Sequence, residues 1–187
     1  MQTANHSAYG KGAIALHWIV GIMVIGMLIA GNYMVELEKG TPQRAWFFNL
    51  HKSVGMVLIV LVFVRLWWRA KHSPPPLPET LPRWQQIASK ASHHLLYACM
   101  VIMPLAGFIG TNFGKFGTQF FFVTEIPPLF GQNDAAKSFF YSVHHFVAEV
   151  FVVLIGIHIL AALKHLIINK DGVFQRMLPG VGKTPPA

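Results

Sequence analysis

The sequence predicts an all-α membrane protein, a transmembrane four-helix bundle. The chain has 187 residues, of which 53% are hydrophobic and only 12% are charged, whereas a soluble domain is about 25% charged. Four apolar runs each reach or approach the roughly 20 residues that cross a hydrocarbon core of about 30 Å as a helix. The length suits one domain, so residues 1–187 are expected to form a single unit.

The four predicted spans cover residues 13–35, 51–68, 93–111 and 139–168. The first is too long for the apolar part of a cleavable signal peptide. The second is the shortest and ends at Trp67 and Trp68, a residue type enriched at membrane interfaces. A soluble helical protein with one long core helix is the alternative, but four buried helices would leave this small chain almost no polar surface.

The charges are sorted by membrane side and do not form a nucleic-acid-binding face. The net charge is +8, and ten of the 15 Lys and Arg residues lie on the side of both chain ends. These ten are Lys11, Arg65, Arg69, Lys71, Arg83, Lys90, Lys164, Lys170, Arg176 and Lys183, and the other five are Lys39, Arg44, Lys52, Lys115 and Lys137. The positive-inside rule therefore predicts that both termini and the 69–92 loop are cytoplasmic.

The opposite loop, residues 110–137, is rich in Gly, Phe and Pro, and we expect it to lie partly in the membrane interface. Cys99 is the only cysteine. This count excludes a disulfide framework, a cysteine-based zinc site, a four-cysteine iron–sulfur cluster and covalently attached haem.

Histidines within the spans lie at two depths. His144 and His158 are 14 positions apart on the fourth span, which places them within about 40° of one helix face and about 21 Å apart along the axis. His17 lies near the cytoplasmic start of the first span, level with His158. His51 lies at the outer start of the second span, level with His144. Ionisable side chains inside membrane spans are costly and usually functional.

These depths predict two imidazole pairs, His17 with His158 and His51 with His144. Neutral imidazole is a common axial ligand of haem iron, and helical bundles commonly hold such groups between facing helices. The sequence therefore predicts two b-type haems inside the bundle, one towards each membrane face. Taken singly, each histidine could instead be an interfacial or hydrogen-bonded residue. A copper or zinc site would lack carboxylate or thiol ligands at these depths.

Two further residues support a haem site. Gly55 follows His51 by one helical turn, where a missing side chain would let a flat macrocycle approach the backbone, although small residues also pack membrane helices. Arg65 lies on the face of His51 at the inner level, where it could pair with haem propionates or simply extend to the membrane surface. Gly31 stands in the same relation to His17, at the outer level.

Three further residues of the spans are considered for other roles. His93 and His94 open the third span, and we interpret them as interfacial because that helix has no second histidine at a matching depth; a contact with a haem propionate or a quinone is the alternative. Glu149 lies in the fourth span, off the histidine face. As an intramembrane carboxylate it is a candidate proton relay, or a partner for a nearby cation or backbone donor.

The chain resembles the bacterial cytochrome b561 family, in its small di-haem form. The similarity covers most of the chain and is carried by Leu16-His17-Trp18, Asn49-Leu50-His51 with Gly55 and Arg65, His144, Gly156-Ile157-His158, Lys170-Asp171-Gly172 and Arg176-Met177-Leu178-Pro179. The resemblance implies that the four histidines ligate two b-type haems in a bacterial inner membrane. It further implies oxidation of superoxide and reduction of ubiquinone.

Two functions remain open from the sequence. Two histidines per iron leave no free coordination position, which favours outer-sphere electron transfer. In the first hypothesis superoxide is oxidised at the outer haem and ubiquinone is reduced. Four basic residues on the outer side would steer the anion, unless they only touch lipid phosphates: Arg44, Lys52, Lys115 and Lys137. In the second, the chain is a cytochrome subunit that docks a dehydrogenase or hydrogenase and reduces quinone. A lone protein or a homodimer would favour the first hypothesis, and a stoichiometric redox partner would favour the second.

Overall fold

The computed structural model describes residues 9–78 and 81–180, which form four long helices and one small hairpin. The helices are α1 (Lys11–Glu36), α2 (Pro42–Lys71), α3 (Arg83–Asn112) and α4 (Asp134–Lys164). Strands β1 (Thr118–Phe120) and β2 (Thr124–Ile126) pair antiparallel between α3 and α4. A π-helical turn, His165–Asn169, continues α4, and a short 3₁₀ helix, Gln175–Met177, follows. Lys183 lies outside the described residues.

All four helices are long and apolar enough to cross a membrane, which confirms the predicted fold class. The helices extend beyond the predicted spans because apolar runs mark only the part inside the hydrocarbon. Helix α2 begins at Pro42, where the Thr41 side chain caps it by accepting a hydrogen bond from the Arg44 amide at 3.3 Å. His51 therefore lies well inside a helix, and the prediction that helix 2 starts there is wrong.

The bundle consists of two closely packed helix pairs. Helix α3 packs most extensively on α4 and α1 packs on α2, while α2 also contacts α3. Across the described chain, close backbone approaches of α4 to α1 or α2 are few. The buried core between the helices is apolar and consists of Val20, Val24, Met27, Leu58, Val62, Leu96, Cys99, Met100, Met103 and Phe151. Much apolar surface stays exposed, as expected of helices that face lipid.

The hairpin lies against α2, next to the segment that contains His51. Ser53 is fully buried, and its hydroxyl accepts a hydrogen bond from the Phe121 amide at 2.9 Å. The Phe122 ring stacks on Trp46 with ring centres 5.8 Å apart. Phe121 and Phe122 both have positive φ angles, 46° and 64°, which phenylalanine rarely adopts. Contacts with α2 therefore hold a turn that its own residues disfavour.

The segment after α4 returns to the helix ends near the N-terminus. The Trp18 indole donates a hydrogen bond to the Met177 carbonyl at 2.7 Å. Arg176 is buried and donates to the Pro76 carbonyl at 2.7 Å. These two bonds join the C-terminal segment to α1 and to the proline-rich connection between α2 and α3.

A carboxylate organises the turn that begins this segment. Asp171 Oδ2 lies 2.6 Å from His165 Nδ1, and Asp171 Oδ1 accepts from the Val173 amide at 3.1 Å. Partial burial acts to raise the pKa of Asp171, but the hydrogen bonds from His165 and Val173 outweigh it and lower the pKa below its ordinary value. Asp171 therefore stays charged, and its charge stabilises the turn.

Replacing Ser53 with alanine should destabilise the protein, because the Phe121 amide loses its hydrogen-bond acceptor, the buried Ser53 hydroxyl. An unsatisfied buried donor costs about 1–3 kcal/mol of unfolding free energy. The measurement is unfolding of the purified protein in mixed micelles. Ser142→Ala, on the exposed side of α4, is the control and should change stability by less than about 0.5 kcal/mol. Equal effects of the two substitutions would contradict the role given to Ser53.

Candidate functional site

The four histidines singled out from the sequence meet as the two predicted pairs. The ring centres of His17 and His158 are 6.2 Å apart, and those of His51 and His144 are also 6.2 Å apart. We call the first the terminal-side pair, since it lies towards both chain ends, and the second the hairpin-side pair. All four side chains are partly buried. Both pairs bridge α4 to the α1–α2 half of the bundle.

The spacing within each pair suits two imidazoles that share one metal ion. An imidazole nitrogen lies about 2 Å from a bound first-row metal, and its ring centre about 1 Å further. Two rings on opposite sides of one ion would therefore have centres about 6 Å apart. Within residues 9–78 and 81–180, no group of three or more His, Cys, Asp or Glu side chains is arranged so that all could hold one metal ion together. The donor chemistry is thus paired imidazole, as an axial haem site requires.

The hairpin-side pair shows a ligand-like hydrogen-bond pattern. His144 Nδ1 lies 2.7 Å from the Met103 carbonyl, so Nδ1–H donates and Nε2 keeps its lone pair. His51 Nδ1 is buried, and no described residue gives it a hydrogen-bond partner. A buried ring nitrogen without a hydrogen-bond partner is rare in folded proteins, and one explanation is a bound group that the structure does not contain. The pair therefore fits an axial-ligand role.

Two glycines make room for the hairpin-side rings. A Cβ at Gly107 on α3 would lie 2.7 Å from His144 Nδ1, closer than real Cβ contacts come. A Cβ at Gly31 on α1 would lie 3.3 Å from His51 Cε1. The sequence placed Gly31 at this outer level but gave no reason to single out Gly107. Gly107 lies opposite His144 because of the way α3 and α4 are rotated and shifted against each other, which the sequence alone does not show.

The terminal-side pair is held by a guanidinium group. Arg65 Nη2 donates to His17 Nδ1 at 2.9 Å, and Arg65 Nε donates to the Tyr97 hydroxyl at 3.3 Å. The sequence predicted Arg65 at this level, where it could pair with haem propionates or extend to the membrane surface. In the structure it donates to the His17 ring. Since guanidinium can only donate, His17 Nδ1 accepts, and the proton of the neutral ring lies on Nε2.

His93 also belongs to this site, which the sequence interpretation missed. Its ring centre lies 5.4 Å from that of His158, closer than His17. Helix α3 begins at Arg83, so His93 lies inside the helix and faces α4. His94 is exposed and donates to the Lys90 carbonyl, consistent with the interfacial position expected for it. The sequence interpretation used only the apolar run, residues 93–111, and left out the polar residues 83–92. These residues form the first turns of α3, so His93 lies inside the helix and not at its start.

Gly55 and Glu149 were also singled out from the sequence. A Cβ at Gly55 would meet Met27 Cε of α1 at an ordinary 3.6 Å, and the close approach of a macrocycle at this glycine stays a prediction. Glu149 is exposed on α4. Glu149 lies within a helix long and apolar enough to cross a membrane, so its role as an intramembrane carboxylate stays a prediction.

The four basic residues proposed to steer an anion are not one cluster. Arg44 donates to the Val35 carbonyl at 2.8 Å and to the Leu37 carbonyl, so it caps the end of α1. Lys115 is exposed, with its ammonium 5.6 Å from the centre of the neighbouring Phe116 ring. Lys52 and Lys137 interact as like charges, and Lys52 directly follows His51 in the sequence.

The fold is that of a membrane protein with four long apolar helices, and it brings two pairs of imidazoles together between them. Residues 8–180 match the family model for prokaryotic cytochrome b561, and the chain belongs to this family. Membership implies b-type haem, electron transfer and a bacterial membrane location.

Three curated relatives match over nearly their full length. Cytochrome b561 homolog 2 of Escherichia coli (strain K12) is 34% identical over 181 residues, covering 94% of each chain. Cytochrome b561 homolog 1 of the same strain is 29% identical, covering 91% of this chain and 97% of the relative. The protein named probable superoxide oxidase CybB of Yersinia pestis is 28% identical, covering 93% and 97%.

Gly107→Ala should damage the hairpin-side pair, because the new methyl group would collide with the His144 ring. We expect the variant to lose the haem proposed to bind at His144, and the measurement is the number of haems per purified chain. Gly156→Ala is the control, since a Cβ there meets nothing within 4 Å and alanine favours a helix by about 1 kcal/mol. If both variants kept the same haem content, the proposed steric need at Gly107 would be disproved.

Proposed function

We propose that the chain binds two b-type haems, one at each imidazole pair, and carries electrons between the two faces of a bacterial inner membrane. The observation that carries this proposal is the equal spacing of the two pairs, with ring centres 6.2 Å apart in both. Their α4 members are 14 residues, about 21 Å, apart along the helix. Two centres on this axis would divide the bilayer into short electron-transfer steps.

When bound, haem would supply reversible one-electron chemistry, and two imidazoles per iron would exclude direct oxygen binding. The chain's own residues set the environment. The Met103 carbonyl orients His144, and Arg65 orients His17. The apolar core between the two pairs excludes water and lowers the local dielectric, which sets the reduction potential.

For the donor and acceptor we propose superoxide and ubiquinone. Two superoxide ions each lose one electron and become O₂, and one ubiquinone takes up the two electrons and two protons to form ubiquinol. Lys52 and Lys137 support an anionic donor at the hairpin side, because positive charge at a low-dielectric opening attracts anions. The name of the Yersinia pestis relative also supports superoxide. The excess of Lys and Arg near both chain ends supports cytoplasmic termini.

The haem content of the purified chain tests the proposed sites. A pyridine haemochrome assay should give about two haems per chain, and His144→Ala should lose one of them. His145→Ala is the matched control, because His145 is the exposed neighbour on the same helix and its loss should leave both haems. A wild-type ratio near one or zero, or equal losses from both variants, would refute the ligand scheme.

The donor is tested by stopped-flow mixing of the oxidised protein with superoxide. The haems should be reduced faster than superoxide dismutates, and Lys52→Gln/Lys137→Gln should slow this about tenfold at low salt. Lys71→Gln/Lys90→Gln removes the same charge at the other end and should have little effect. Absence of reduction would reject superoxide as the donor. A stoichiometric dehydrogenase or hydrogenase in native preparations would instead favour the subunit role.

A further inference from the structure

His158 has two imidazole neighbours. The His17 ring, on α1, is centred 6.2 Å away, and the His93 ring, on α3, is centred 5.4 Å away. Both separations are close to the roughly 6 Å expected for two imidazoles that share one metal ion. The terminal-side site therefore contains one imidazole more than a single pair requires.

The hydrogen bonds of the two neighbours leave different nitrogens free. His93 Nδ1 lies 2.7 Å from the Ser89 carbonyl, so its Nδ1–H donates and its Nε2 keeps a lone pair. This is the arrangement usual for metal-binding histidines. His17 Nδ1 instead accepts from Arg65. The proton of neutral His17 is then on Nε2, so this ring must give up the Arg65 bond or shift its proton before Nε2 binds a metal.

The helix packing also favours His93. Helices α3 and α4 form the most extensively packed pair of the bundle, so His93 and His158 are carried by one closely packed unit. His17 is carried by α1, in the other helix pair. Loss of His17 would therefore leave the mutual placement of His93 and His158 unchanged.

We propose that His93 is a third ligand candidate of the terminal-side centre and binds the iron opposite His158 when His17 is absent. This inference rests on the proposed haem function and assigns a role to a histidine outside the two predicted pairs. The terminal-side centre would then remain bis-imidazole after loss of His17.

The test compares His17→Ala with His17→Ala/His93→Ala in the purified full-length protein. His17→Ala should retain two haems, both low-spin by electron paramagnetic resonance. The double variant should keep the hairpin-side haem and either lose the other haem or convert it to a high-spin form that binds carbon monoxide. His17→Ala/His94→Ala is the matched control, because His94 lies on the same helix with a similar 2.7 Å bond to the Lys90 carbonyl. It should behave like His17→Ala.

The inference is overturned if His17→Ala alone loses the terminal-side haem or makes it high-spin to the same extent as the double variant. Failure of the proposed function would appear differently, as a wild-type protein without two haems. The hairpin-side haem reports in every variant that the chain has folded. If His17→Ala does not accumulate, His17→Gln keeps an acceptor for Arg65, and the same comparison with and without His93 decides the question.

Discussion

Imidazole rings inside an apolar bundle need polar partners, and this requirement organises the protein. Each ring nitrogen buried away from water must be hydrogen-bonded or bound to something else. His144 uses the Met103 carbonyl, His93 uses the Ser89 carbonyl, and His17 uses Arg65. His51 Nδ1 has no partner among the described residues. The pairs His17–His158 and His51–His144 join α4 to α1 and to α2, and the backbone packing of α4 on these two helices is sparse.

The surroundings of the histidines differ between the two ends of the bundle. At the hairpin side the rings are accommodated by glycine, and the β-hairpin is held beside them by the buried Ser53 hydroxyl. At the terminal side the rings are surrounded by hydrogen-bonding groups, with Arg65 and Tyr97 joined to His17. Such differences in the surroundings of a ligand change the reduction potential of the metal that it binds. Under the proposed function, the two centres would therefore differ in reduction potential.

The hairpin turn could not be predicted from the sequence, because contacts with distant side chains hold a backbone conformation that the turn residues themselves disfavour. A turn with two positive φ angles is normally signalled by Asn or Gly, whereas this hairpin turns through Phe121 and Phe122. Stacking on Trp46 and the bond to Ser53 hold that turn. The helices also begin before the predicted spans, because the spans were placed from apolar runs alone: α3 starts with the polar residues 83–92, and α2 starts at its Thr41 cap.

The sequence by itself determined the number of spans and the two histidine pairs. Hydropathy and helical periodicity show which residues of one helix share a face. Because the membrane aligns the four spans by depth, histidines at the same depth on different helices are expected to lie close together. Only the tertiary structure decided which residues surround each pair. The contacts of His93 with His158, of Gly107 with His144 and of Arg65 with His17 depend on how each helix is rotated against its neighbour. That rotation is set by packing between helices, which no single helix encodes.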